Sequence, residues 1–196
     1  MTNVMNPRRI AGIFHAHPLL RERDVGQLIG LGVRPEVLRQ QPSPLHVGHV
    51  AWLAPRHFEF EQYLSECDAN IESERALLIL VIGYDDQPVD LAAWAPSTGR
   101  LAVWLGRAWA LGQHTAYLPR TDPQDGLLIW RNPLHWIGAR QRGLVLLEHH
   151  RAAEHLSDAG PLLAEDVEHG QELRKVLTRP APRILIPTAS LFRRAA

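Results

Sequence analysis

Histidine is the residue type in this chain with the greatest chemical potential, since eleven of the 196 residues are histidines. The densest group follows the apolar run at 144–147 and has the order Glu-His-His-Arg-Ala-Ala-Glu-His. On a helix, His150 and Glu154 are four residues apart and share one face. Imidazole and carboxylate groups are common ligands of divalent metal ions. A metal-dependent hydrolase is therefore one hypothesis, with four candidate metal ligands: His149, His150, Glu154 and His155.

The spacing of this group differs from that of the known zinc-peptidase motifs. Neither H-E-x-x-H nor H-x-x-E-H occurs, because three residues separate His150 from Glu154. Glu165, Asp166 and His169 have spacings that place them on one face of a neighbouring predicted helix, where they would complete a site. The alternative is that both groups are exposed, partly paired helix faces. The missing motif match favours that alternative.

A second pair, His15 and His17, follows a predicted short strand at residues 9–14. On a strand, residues two apart project to the same face, which is the geometry of paired histidine ligands in some metal hydrolases. Hydrolases that carry such a pair in a (β/α)₈ barrel need a longer chain than this one. Surface or turn histidines are the favoured interpretation.

The chain lacks the motifs of several enzyme classes: G-x-S-x-G, the P-loop and G-x-G-x-x-G are all absent. Its single cysteine, Cys67, rules out an internal disulfide and a cysteine-based zinc cluster. Neighbouring carboxylates would raise the pKa of that thiol and lower its reactivity. We therefore expect a non-enzymatic protein without a cofactor. A divalent metal belongs only to the hydrolase alternative.

Composition and charge indicate an ordinary globular protein. The chain is 45% hydrophobic and 21% charged, and no apolar run approaches the roughly 20 residues of a membrane helix. The formal net charge is zero, so no global field attracts nucleic acid. The N-terminus lacks the order of a signal peptide, and one cysteine is consistent with a reducing compartment. These features predict a cytoplasmic protein without a membrane segment.

The charge is unevenly distributed along the chain. Segment 59–90 contains nine acidic residues and one basic residue, Arg75, whereas from residue 174 onward every charge is basic. The favoured interpretation is an acidic face and a basic tail that partly neutralise each other. The alternative is a nucleic-acid accessory protein with a basic C-terminal arm. Its candidate nucleic-acid-binding residues are Arg174, Lys175, Arg179, Arg183, Arg193 and Arg194.

Three apolar runs form the predicted centre of the fold. Residues 76–84 are uninterrupted and rich in β-branched side chains, which predicts a strand buried on both faces. The runs at 89–95 and 101–105 follow after turns rich in Asp, Pro and Gly. This spacing predicts an antiparallel meander around 76–105.

Shorter elements surround the meander. Helices are predicted at 24–31, 35–40, 132–140, 149–156 and 161–177, and further strands at 45–53, 112–118, 127–130, 144–147 and 183–186.

The order of these elements predicts an α+β fold, with an antiparallel-rich sheet, short N-terminal helices and a helix–strand–helix C-terminal part. We predict a single domain over residues 1–196. Within it, composition suggests a helical segment at 1–42, a β-rich core at 43–131, and a helical part with a basic tail at 132–196.

The strand, Asp-containing turn and second strand at residues 79–94 resemble the hairpin near the start of the catalytic core in phage-type DNA primases. The similarity covers less than one tenth of the chain. The chain departs from that family because it lacks the cysteine zinc module and an evident D-x-D pair for phosphoryl transfer. The resemblance therefore implies a phage or mobile-element origin and not primase activity.

Together these features favour a small cytoplasmic protein that acts through a protein–protein interface, with a protein as its partner. Nucleic acid is the less favoured partner. The metal-dependent hydrolase is the alternative from a different functional class.

Overall fold

The computed structural model describes residues 5–65, 71–119 and 126–178 and confirms an α+β fold. The predicted strand at 183–186 and Cys67 lie outside these ranges. The α-helices within them are α1 (Pro7–Ala16), α2 (Glu22–Gly30), α3 (Pro35–Arg39), α4 (Pro133–Gly138), α5 (His149–His155) and α6 (Val167–Leu177). The strands are β1 (His46–Ala54), β2 (His57–Phe60), β3 (Ser73–Ile82), β4 (Pro88–Trp94), β5 (Leu101–Val103), β6 (Ala110–Leu111), β7 (Leu127–Trp130), β8 (Leu144–Leu146) and β9 (Leu162–Leu163). None of the helices in the described ranges is long and apolar enough to span a membrane.

The first five strands form a closed barrel in the order β1-β2-β5-β4-β3. β3 pairs antiparallel with β1 and β4, and β4 pairs antiparallel with β5. One parallel pair, His57 with Val103, joins β2 to β5 and closes the circle. The three predicted runs therefore pair in chain order, but the meander is corrected to three strands of a closed barrel. Closure of the barrel pairs the backbone N–H and C=O groups that the edge strands of an open three-stranded sheet would leave exposed.

β3 is buried on both faces, as its unbroken apolar sequence predicts. Leu78 belongs to one hydrophobic cluster, which includes Phe14 of α1. Leu77, on the opposite face, belongs to a second cluster with Val37 of α3 and Trp136 of α4. Because both faces are covered, the strand shows no polar alternation.

The remaining strands form a four-stranded sheet in the order β6-β8-β7-β9. β8 and β9 run parallel to β7, whereas β6 runs antiparallel to β8. Helices α4, α5 and α6 start just after β7, β8 and β9, with N-cap residues Asn132, Glu148 and Asp166. Side chains that follow the parallel strands therefore gather at one edge of this sheet, which is where α/β sheets commonly place ligands.

The predicted strand at residues 9–14 is wrong, because this segment lies within α1. The side chain of Asn6 accepts a hydrogen bond from the backbone three residues on (2.9 Å), and Pro7 occupies the first turn. Ile10 and Phe14 are both buried at helical spacing. The apolar residues of this segment would fit a short strand as well as a helix. The N-cap at Asn6 and the proline in the first turn are therefore the features that favour the helix.

Two further predicted elements differ from the structure. The predicted strand at 112–118 is largely a 3-10 helix, Gln113–Tyr117. It begins after Gly112, which has φ +67° and where a Cβ would collide with the carbonyl oxygen of Gly143, so a glycine is required. The predicted helix at 161–177 divides into β9 and α6.

Candidate functional site

Helix α5 separates the four predicted metal ligands into two pairs. His149 and His150 are exposed at its start and line a cleft between the barrel and the second sheet. Glu154 and His155 lie in its last turn. In the described ranges, no group of three or more His, Cys, Asp or Glu side chains is placed to hold a metal ion. The metal site and its hydrolase therefore stay a prediction without geometric support among these residues.

The polar residues around the start of α6 are engaged in local contacts. The Glu165 carboxylate accepts a hydrogen bond from the N–H of Arg131 (2.7 Å), and its other oxygen lies 2.9 Å from Nδ1 of His135. The Asp166 carboxylate caps α6 by accepting from the N–H of His169 (2.8 Å). These residues support the start of a helix and do not join the residues of α5 in a metal site.

His15 and His17 do not share a strand face. His15 lies in the last turn of α1, and the ring of His17 stacks on Phe60 with centroids 4.7 Å apart. The carbonyl oxygen of His17 lies 2.6 Å from Nδ1 of His46. Burial and the charge of His46 lower the pKa of His17. Its neutral ring is therefore a packing group.

An exposed group of aromatic residues lies at the far end of α5. Tyr84, in the β3–β4 turn, is 78% exposed, Tyr117 is 44% exposed and Leu118 is 54% exposed. The two tyrosine rings meet edge to face with centroids 6.1 Å apart, and the ring of His155 meets Tyr117 at 6.2 Å. We call Tyr84, Tyr117, Leu118 and His155 the aromatic surface. Tyrosine is enriched at protein interfaces, and contiguous exposed apolar patches mark interaction sites.

A hydrogen-bonding contact and a ring contact orient part of this surface. The hydroxyl oxygen of Tyr117 lies 2.7 Å from Nδ1 of His155. The His155 ring also stacks on the buried Trp109 ring at 5.0 Å. Part of the aromatic surface is therefore preorganised by the core beneath it.

Acidic groups border the aromatic surface. Asp85 and Asp86 follow the first tyrosine in the exposed β3–β4 turn. Burial lowers the pKa of His114, and the negative charge of Asp86 partly opposes that lowering. The charge of Glu154 likewise acts to raise the pKa of His155, whereas the charge of Arg151 acts to lower it. Among the residues that the structure describes here, Asp85, Asp86 and Glu154 face the single guanidinium of Arg151, so this described part of the border is negative.

We expect the free energy of unfolding to fall as pH is lowered from about 7.5 to about 5.5. Burial lowers the pKa of His17, His114 and His155 from the ordinary 6.5. The unfolded chain therefore takes up these protons at a higher pH than the folded chain. The stability that the neutral histidines contribute is complete above 6.5 and declines as pH falls through that value.

Urea unfolding followed by tryptophan fluorescence at the two pH values measures this change. The buried carboxylate of Asp24 has a pKa lowered from an ordinary value of 3.8, so its contribution to stability stays constant between these two pH values and is lost only at more acidic pH. His155→Gln should reduce the loss of stability between the two pH values. A free energy of unfolding that stays constant or rises on acidification would contradict the histidine assignment.

The predicted nucleic-acid-binding residues are only partly described. Arg174 and Lys175 lie exposed in the last turn of α6. The other four lie outside the described residues: Arg179, Arg183, Arg193 and Arg194. The basic arm stays a prediction.

Comparison with known proteins gives no family for this chain. No family model, curated protein or solved structure matches it. The resemblance of residues 79–94 to primases gains no support, and in the structure this hairpin is β3 and β4 of the closed barrel. The functional inference therefore depends on the geometry of the site.

Sequence reasoning missed both tyrosines of the aromatic surface. Tyr84 ends the apolar run at 76–84, and Tyr117 lies in the predicted strand at 112–118. A usable signal exists only for Tyr84, because it directly precedes Asp-Asp-Gln-Pro, and a turn exposes its side chains.

Proposed function

We propose that this chain is a protein-binding module whose aromatic surface engages an arginine-rich segment of a partner protein. The observation that carries the proposal is the exposed edge-to-face contact of Tyr84 with Tyr117 beside the acidic turn at Asp85 and Asp86. A cytoplasmic location and a phage or mobile-element origin belong to the same proposal and depend on the sequence features alone.

Tyrosine is well suited to such a role. It is enriched among the residues that dominate binding energy at protein interfaces, and ordering its side chain costs little entropy. Tyr117 is already held by its contact with His155, whose ring stacks on Trp109, so little freedom is lost when a partner binds. Tyr84 supplies the larger exposed area.

The acidic border selects the chemistry of the partner. A guanidinium group stacks on a tyrosine ring and can pair with a carboxylate through two hydrogen bonds, whereas an ammonium group offers only a point charge. Asp85 and Asp86 follow Tyr84 directly in the exposed turn and would supply that carboxylate. The same carboxylates would repel the phosphates of a nucleic acid. An arginine-rich protein segment is therefore favoured over DNA or RNA at this surface.

Binding of the whole chain to a fluorescein-labelled peptide of alternating arginine and glycine, measured by fluorescence anisotropy, tests the proposal. We expect Tyr84→Ala to weaken binding about 10- to 30-fold, the effect of losing a dominant interface residue. Because Tyr84 is 78% exposed, its replacement should leave folding intact.

Tyr63→Ala is the matched control, since Tyr63 is 49% exposed and stacks on Trp104, outside the aromatic surface. Its melting temperature should be measured alongside, and its affinity should stay within about twofold of the original chain. A lysine–glycine peptide should bind more weakly. Three results would overturn the proposal. Tyr84→Ala and Tyr63→Ala could lose the same amount of affinity, or the arginine and lysine peptides could bind equally tightly. The chain could also prefer a single-stranded DNA of similar length to the arginine peptide.

A further inference from the structure

A cleft of about 530 Å³ lies between the barrel and the start of α5, at the opposite end of that helix from the aromatic surface. Leu101 and Val103 of β5 and Leu146 of β8 contribute apolar lining. The charged and imidazole side chains that line it are Arg56, Glu148, His149, His150 and Arg151. A concave site that combines an apolar lining with a few charged groups is typical of small-molecule binding.

Arg56 spans the cleft from the turn between β1 and β2. Its Nη1 donates to the Glu148 carboxylate at 2.8 Å, which joins the barrel to the second sheet. Burial acts to raise the pKa of Glu148, but its bonds with Arg56 and with the His150 N–H keep that pKa below its ordinary value, so the carboxylate is ionised. A guanidinium has five N–H groups, and this bond orients Arg56 while using one of them.

Arg151 is held by two hydrogen bonds, compared with one for Arg56. Its Nη1 and Nη2 donate to the carbonyl oxygens of Gly106 (3.0 Å) and Arg107 (2.7 Å). The segment that carries these carbonyls is fixed by the buried carboxylate of Asp90, which accepts from the N–H groups of Arg107 (2.6 Å) and Ala108 (3.1 Å). The guanidinium of Arg151 is therefore positioned through a buried anchor before any ligand arrives.

We propose that this cleft binds a small organic anion, with its carboxylate or phosphate group on Arg56 and Arg151 and its carbon skeleton on the apolar lining. Two guanidinium groups against the single carboxylate of Glu148 leave the rim positive. Guanidinium geometry matches carboxylate and phosphate oxygens in pairs. The cleft also adjoins the carboxyl end of the parallel strand β8, the place where α/β sheets commonly bind ligands.

Isothermal titration of the whole chain with benzoate, phenyl phosphate and inorganic phosphate tests this site. At least one of the two organic anions should bind more tightly than inorganic phosphate, because only they occupy the apolar lining. The comparison of benzoate with phenyl phosphate shows which anionic group is preferred. Arg56→Gln should weaken the tighter organic anion about tenfold, the loss of one charge-assisted contact.

Arg100→Gln is the matched control, because Arg100 is an exposed arginine of the nearby β4–β5 turn that does not line the cleft. Leu101→Ala should weaken the organic anions and leave inorganic phosphate unchanged, which separates loss of the lining from loss of charge. Equal affinity for organic and inorganic anions, equal loss in Arg100→Gln, or no saturable binding in the millimolar range would overturn the proposal.

Discussion

Asp90→Asn is expected to lower the free energy of unfolding by about 2–6 kcal/mol, since two backbone N–H groups aimed at the buried carboxylate, one of them itself buried, lose their acceptor at roughly 1–3 kcal/mol each. The wild-type carboxylate is 0% exposed and accepts four backbone hydrogen bonds. One oxygen takes the N–H groups of Leu91 and Leu105, and the other takes those of Arg107 and Ala108. An asparagine keeps one oxygen but turns an NH₂ group toward the other two donors.

Urea unfolding followed by circular dichroism measures the loss. The control is Asp158→Asn, which makes the same change at an exposed aspartate. It should change the free energy of unfolding by less than about 0.5 kcal/mol. If Asp90→Asn were no more destabilising than this control, the segment between β5 and β6 could not depend on the buried carboxylate.

Arg75→Met is expected to cost about 3–5 kcal/mol of stability, the usual result of leaving a buried charge without its partner. Arg75 on β3 donates to both carboxylate oxygens of Asp24 on α2, at 2.9 and 2.7 Å. The side chain of Asp24 is only 6% exposed. The pair therefore fastens α2 to the barrel. Thermal and urea unfolding of the variant measure its contribution.

The pH dependence of stability gives a second test of the Asp24–Arg75 pair. The hydrogen bond from Arg75 lowers the pKa of Asp24, so the stability it contributes is present above its ordinary value of 3.8 and is lost at lower pH. In the variant the lowering by Arg75 is lost, and burial acts to raise the pKa against only the N–H of Arg21 and the charge of Arg23, so the pKa of Asp24 lies higher than in the original chain. The stability difference between the two proteins should therefore shrink as pH falls from neutral.

Arg23→Met is the control for this pair. Arg23 lies 3.8 Å from the same carboxylate but is 67% exposed, so its loss should cost less than about 1 kcal/mol. Equal destabilisation by the two arginine variants would contradict the assignment of the buried pair.

Sequence patterns predicted the parts of the fold that depend on local signals. The unbroken run of β3 indicated a strand covered on both faces, and Asn132-Pro133 marked the start of α4, where the Asn132 side chain accepts from the His135 N–H. Asn6-Pro7 is the same signal at the start of α1, where the apolar residues that follow favour a strand if they are read without the cap. Closure of the barrel depends on one pairing between β2 and β5, which no local pattern contains.

The candidate site was predictable only in part. The sequence predicts one group of metal ligands in the segment that forms α5. The two ends of this seven-residue helix lie in different surroundings, so the predicted ligands are separated. His149 therefore lines the cleft, while His155 stacks on Trp109. The bonds from Arg56 to Glu148 and from Arg151 to Gly106 join residues far apart in the chain. No spacing rule could have revealed them.

Nuclear magnetic resonance of protein labelled only at tyrosine gives the most direct test of the proposed binding surface. The chain has three tyrosines, so three sets of ring signals report on three places. On titration with the arginine–glycine peptide, the signals of Tyr84 and Tyr117 should shift together and saturate, while those of Tyr63 stay in place. Shifts confined to Tyr63, or no shift at any tyrosine, would contradict binding at the aromatic surface.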